Sequence, residues 1–144
     1  MMTGIYAGLC GLLLVVLYLR ISQRRLTAKI GLGTGGDDEL ERRVRAHGNF
    51  IESVPLALVL LFLFEHAGAE AAYVHAFGIA LVVSRVAHAQ GISKTSGRST
   101  GRFYGSIGTL LILAALLSIY IVLGIVWLLP LRRFLIWMET GRWG

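Results

Sequence analysis

The chain alternates long apolar runs with short polar ones, at a spacing that suits a bilayer. Apolar side chains dominate Ile5 to Ile21, Phe50 to Phe64, Ala71 to Val83 and Ile107 to Leu129. Each run, with its flanks, supplies the roughly 20 residues needed to cross a hydrocarbon core. The pattern predicts four spanning helices at about 3–25, 38–65, 71–90 and 102–129, within a single domain over 1–144. An interfacial C-terminal tail over 131–144 follows, where Trp137 and Trp143 alternate with arginines as anchors at headgroup depth. The expected fold class is an all-α integral membrane protein, a four-transmembrane-helix bundle per subunit.

Polar punctuation sets the expected ends. Asp38 with Glu41 forms a D-x-x-E capping arrangement at the start of the second helix, where carboxylates also favour the positive end of the helix dipole. At about 27 residues that helix is roughly 40 Å long, so its first turns project beyond the hydrocarbon. Pro55 falls inside it and removes one backbone hydrogen bond near Ile51, while Pro130 stops or bends the fourth helix. The loop GLGTGG satisfies G-x-G-x-x-G but follows a spanning helix rather than a β-strand, so it reads as a flexible connection and not a nucleotide site.

Composition sharpens the membrane reading: 56% of residues are hydrophobic and 15% charged. The formal net charge of +6 does not point to nucleic acid, because the basic residues are sorted by side. Arg20, Arg24, Arg25, Lys29, Arg42, Arg43 and Arg45 fall in or beside the first loop, and Lys94, Arg98 and Arg102 in or beside the third. The positive-inside rule makes those loops cytoplasmic and puts both termini across the membrane, the inner or cell membrane if the source is bacterial. The first apolar run has neither a basic lead nor an A-x-A site after it, which favours a retained helix over a cleaved signal. Cys10 has no partner cysteine and reads as a small buried side chain. The four histidines show no spacing that would build a metal site, so none is expected.

One stretch resists the bland description. Glu41 to Pro55 reads ERRVRAHGNFIESVP and leads straight into LALVLLFLF. At 100° per residue Arg42, Arg45, Asn49 and Glu52 lie within an arc of roughly 80°, whereas Arg43 and His47 fall elsewhere. Glu52 sits about where the hydrocarbon begins, so its carboxylate needs partners. Arg85, His88 and Ile92 form a second one-face set at the same end of the third helix. Two readings remain open: an ion-pair network from Glu52 to Arg45 and Arg85 that only fixes packing, or a site whose surplus of arginines holds an anion.

The string from Leu40 to Pro55 resembles the R-x-x-R-A-x-x-N-x-x-E signature of the MAPEG superfamily, the membrane-associated proteins in eicosanoid and glutathione metabolism. SRVAHAQG, from Ser84 to Gly91, is similar to the end of the third helix in that superfamily's leukotriene synthases, and ISQRR, from Ile21, to the end of its first helix. The resemblance, to a microsomal glutathione transferase-like member of bacterial type, covers nearly the whole chain. It implies a homotrimer that binds glutathione between subunits and uses its thiol on a lipophilic small-molecule substrate arriving through membrane lipid. By position, Arg45, Asn49 and Glu52 would hold glutathione's polar ends, with Arg42 in support. Arg24 would reach in from a neighbouring subunit, His47 and His88 would touch the ligand, and Arg85 would order the network. Arg102, with Arg98 as the alternative, would stabilise the thiolate. Ser53, His88 and Ile92 stand where relatives carry tyrosines. The superfamily also includes non-enzymatic lipid binders, so lipid binding without catalysis is the alternative function.

Overall fold

The structure, a computed structural model, describes the backbone of residues 1–94 and 99–140 and the side chains of 1–93, 99–126 and 138. Its helices are α1 (Thr3–Ala28), α2 (Asp38–His66), α3 (Ala71–Lys94) and α4 (Thr100–Thr140). All four are long and apolar enough to cross a membrane. Inside the bundle, Tyr6, Cys10 and Leu17 of α1 meet Phe50, Val54, Ala57 and Leu61 of α2, Val74 and Leu81 of α3, and Leu116 of α4. Leu12 and Val15 of α1 and Leu110, Leu111 and Ile121 of α4 stay exposed. That arrangement suits a helix whose outer surface meets lipid instead of water.

Two features differ from the sequence-based expectations. The residue that caps α2 is Asp37, whose Oδ1 accepts from the Leu40 backbone N–H at 2.7 Å; the Asp38–Glu41 arrangement does not provide the cap. Asp37 also takes Arg24, so a single carboxylate closes both the helix end and the loop. Pro130 does not stop α4, which runs on to Thr140, so 131–140 extends a helix. A proline removes one hydrogen bond from a long helix, which the flanking turns can absorb. Pro55 lies inside α2, as its sequence position predicted. The side chain of Trp137, and Trp143 altogether, lie outside the described residues.

Charged side chains tie the ends of the bundle together. Arg24 reaches Asp37 at 2.7 Å and Glu39 at 3.2 Å, and Arg43 pairs with Glu39 while donating to the Arg20 carbonyl. These contacts staple α1 to the start of α2 across the glycine loop. At the opposite end, Glu65 of α2 accepts from the backbone N–H groups of Met2 at 2.6 Å and Thr3 at 2.8 Å. It thereby satisfies donors that the first turn of α1 leaves orphaned. Nearby, Tyr6 and His75 Nδ1 are 2.6 Å apart and join α1 to α3.

The first staple carries a pH signature. Hydrogen bonds from the Arg24 guanidinium and then from the Leu40 N–H hold the Asp37 carboxyl below the ordinary carboxylate range. Its folded value lies below its unfolded one, so the contribution is complete above the unfolded pKa and is lost as pH falls through the folded one. Thermal melts of the purified protein are expected to show reduced stability on acidification through that window. Asp37→Asn, which keeps a capping acceptor but loses the ion pair, should flatten this dependence.

α3 and α4 pack closest. A Cβ built on Gly105 would lie 2.5 Å from the Ser84 carbonyl oxygen and 2.6 Å from the His88 nitrogen. One built on Gly91 would lie 2.3 Å from the Arg102 nitrogen. Backbone meets backbone along this seam, as small residues permit in membrane helices. The seam also carries His88 and Arg102 to the same place.

Candidate functional site

A cleft of about 860 Å³ opens where α2, α3 and α4 converge. The one-face prediction holds for α2, since Arg42, Arg45, Asn49 and Glu52 all line it. α3 adds His88 and Ile92, and α4 adds Arg102 and Ser106. Its size falls within the range of about 300–1,000 Å³ usual for small-molecule sites. Arg45, Glu52 and Arg102 are exposed, Arg42 and Asn49 half-buried, and His88 is buried.

Arg85 sits behind this wall, only 1% exposed. It donates through Nη2 to Asn49 Oδ1 at 2.8 Å, lies 3.3 Å from His88 Nδ1, and reaches Thr109 Oγ1 at 3.4 Å. The Phe50 ring lies beneath its guanidinium, 5.7 Å away. Thr109 passes the connection on by donating to the Gly105 carbonyl at 2.9 Å, which anchors the group to the α3–α4 seam.

The ion-pair network from Glu52 to Arg45 and Arg85, one alternative from spacing, does not form among these described residues. Among the described residues Glu52 has no Lys or Arg nitrogen within 4.0 Å. Arg85 points past it, to Asn49 and α4. The expected surplus of arginines also needs correction, because Asp38 and Glu41 line the cleft too. Three carboxylates therefore face Arg42, Arg45 and Arg102, with Arg85 behind them. The cleft is suited to a ligand carrying both signs of charge. Asp38 and Glu41 read from the sequence as capping residues, yet their spacing of four from Arg42 and Arg45 already placed them on the arginine face. Ser106, four residues beyond Arg102, carried the same signal.

Other predicted positions stand apart. Arg24 is held by Asp37 and Glu39, and His47 lies beside Tyr18 with ring centroids 6.3 Å apart; neither lines the cleft. Ser53 donates to the Asn49 carbonyl at 2.9 Å and is absent from the lining. Ile92 does line the cleft, where it offers no hydrogen bond. Arg98, the alternative to Arg102, lies outside the described residues.

Four membrane-spanning helices with a polar cleft at one end define a multi-pass integral membrane protein. The model of the MAPEG family matches residues 3–123, and the chain belongs to that family. It is also similar to the inner membrane protein YecN of Escherichia coli strain K12, and equally to YecN of E. coli O6:H1 strain CFT073. In each case identity is 37% over 91 residues, covering 63% of this chain and 70% of the relative.

Proposed function

We propose that this protein is a membrane-bound glutathione-dependent transferase or peroxidase, working as a homotrimer, that activates the glutathione thiol toward a lipophilic electrophile. The observation that carries the reading is the cleft: Arg45 and Arg102 stand exposed in it beside Arg42 and Asn49, while Glu52 has no ion-pair partner among the described residues of its own subunit. Glutathione carries two carboxylates and one ammonium, which match arginines and Glu52 respectively. Arg45 takes a carboxylate, Asn49 a polar backbone group and Glu52 the ammonium, with Arg42 in support. Arg24 acts from a neighbouring subunit, and His47 is a further contact to the ligand. Arg102, in the first turn of α4, faces the sulfur, where its charge and the positive end of the helix favour the thiolate. The electrophile enters from the bilayer past exposed apolar residues of α4 such as Phe103 and Tyr104. The positive-inside pattern would place the cleft on the cytoplasmic side.

Titration calorimetry of the purified protein with glutathione, together with conjugation of a generic aryl halide, tests this proposal. Saturable binding and thiol-dependent turnover are expected, and no heat at millimolar glutathione would refute it. Ile92 and Ser53, where relatives carry tyrosines, favour a second reading of a non-catalytic lipid binder. Native mass spectrometry that finds lipid and never glutathione in the protein would select that reading.

A further inference from the structure

Arg85 is buried without a carboxylate partner among the described residues, so its contacts set the direction of other groups instead of neutralising charge. A guanidinium donates and never accepts. Every atom it bonds must therefore be an acceptor. At Asn49 this turns the oxygen toward Arg85, at 2.8 Å, and leaves the amide NH2 for the cleft. At His88 the nitrogen 3.3 Å from Nη2 is Nδ1, which must offer its lone pair. A doubly protonated ring would set an N–H against an N–H, so the ring is neutral with its proton on Nε2. The charged groups around that ring are Arg85 on its own helix, Arg102 on α4, and the arginines and carboxylates of α2 across the cleft.

We infer that Arg85 is a positioning residue: by occupying the acceptor ends of Asn49 and His88 together, it holds His88 as the Nε2–H tautomer and turns two neutral donors toward the ligand. His88 of α3 and Arg102 of α4 then present N–H donors to the cleft, joined by the Asn49 NH2 of α2, while the acceptors Asp38, Glu41 and Glu52 all belong to α2. The site thereby has a direction. A ligand places its ammonium against the α2 carboxylates and a carbonyl or thiolate atom against His88 and Arg102 of α3 and α4, with Arg42 and Arg45 of α2 left for its carboxylates. For glutathione this rests on the function proposed above, whereas the tautomer does not depend on it.

The test uses the full-length protein in lipid nanodiscs at neutral pH. Long-range 15N–1H correlations of the imidazoles, with the His88 signals assigned through His88→Gln, are expected to show one Nε2–H tautomer. In Arg85→Met the ring should become a mixture of tautomers. A wild-type His88 that is protonated on Nδ1, or on both nitrogens, overturns the inference, and this arm stands even if Arg85→Met fails to fold. A second arm measures glutathione affinity by calorimetry. Glutamine reaches the place of Nε2 whereas asparagine reaches only that of Nδ1, so His88→Gln should stay within about threefold of wild type and His88→Asn should lose about tenfold, with equal melting temperatures. Equal affinities for the two variants would overturn the donor role. Absence of glutathione binding by the wild type would defeat the proposed function alone, leaving the tautomer measurement to decide the role of Arg85.

Discussion

Arg102→Ala is expected to remove the ultraviolet absorbance of bound glutathione thiolate at neutral pH and to lower conjugation by about 8- to 25-fold, while calorimetric affinity changes only a few-fold. A thiol with an ordinary pKa of about 8.5 is only a few per cent ionised at neutral pH. Lowering that value by one to two units takes about 1.4–2.7 kcal/mol of preferential interaction with the anion. Arg102 lies in the first turn of α4 and lines the cleft, while Arg42, Arg45, Asn49 and Glu52 approach from α2. Removing a charge on α4 should therefore affect the sulfur more than the peptide ends. Affinity and thiolate formation are separable because they draw on different helices. If absorbance persists in Arg102→Ala and disappears in Arg98→Ala, the thiolate partner is Arg98 and the assignment of Arg102 is wrong. Loss of all binding in Arg102→Ala would instead make it an anchor for a carboxylate.

The parts of this arrangement legible in the sequence are those set by local geometry. Four apolar runs gave four spans because a helix of about 20 apolar residues satisfies its own backbone in lipid. Arg42, Arg45, Asn49 and Glu52 could be placed on one face because residues a few positions apart on a helix keep a fixed angle. Contacts between distant elements were not legible. Glu65 read as the end of α2, but it holds the first backbone N–H groups of α1, more than sixty residues earlier. Asp37 and Asp38 compete for one cap on nearly equal terms, and Arg24, brought round by the loop, joins the one that caps. Spacing put Arg85 on the same face as His88, yet only the packing of α3 between α2 and α4 directs the guanidinium to Asn49 and Thr109 and away from Glu52. Asp38 and Glu41 carry two signals at once, a helix-start position and a spacing of four from Arg42 and Arg45, and it is the second that places them in the cleft. Their carboxylates make the cleft less basic than its arginines alone suggest.

The seam between α3 and α4 gives the second large expectation. Gly105→Ala should destabilise the protein by about 1–3 kcal/mol, the range for forcing a methyl group into a space already filled. Here the added carbon meets the Ser84 carbonyl oxygen at 2.5 Å and the His88 Cβ at 2.7 Å, neither of which is the free end of a flexible side chain. α4 must move outward. Arg102 and Ser106 flank Gly105 on the cleft side, and Thr109, which binds Arg85, follows one turn later. The same displacement should therefore open the cleft and lower glutathione affinity at temperatures where the protein is still folded. Gly124→Ala is the matched control, because a Cβ there meets nothing within 4 Å and alanine favours the helix. Thermal unfolding in detergent should lower the melting temperature for Gly105→Ala and leave it unchanged or slightly raised for Gly124→Ala. Equal melting temperatures for the two variants would mean that α3 and α4 do not approach as closely as their backbones indicate. The positions assigned to Arg102 and His88 would then lose their structural basis.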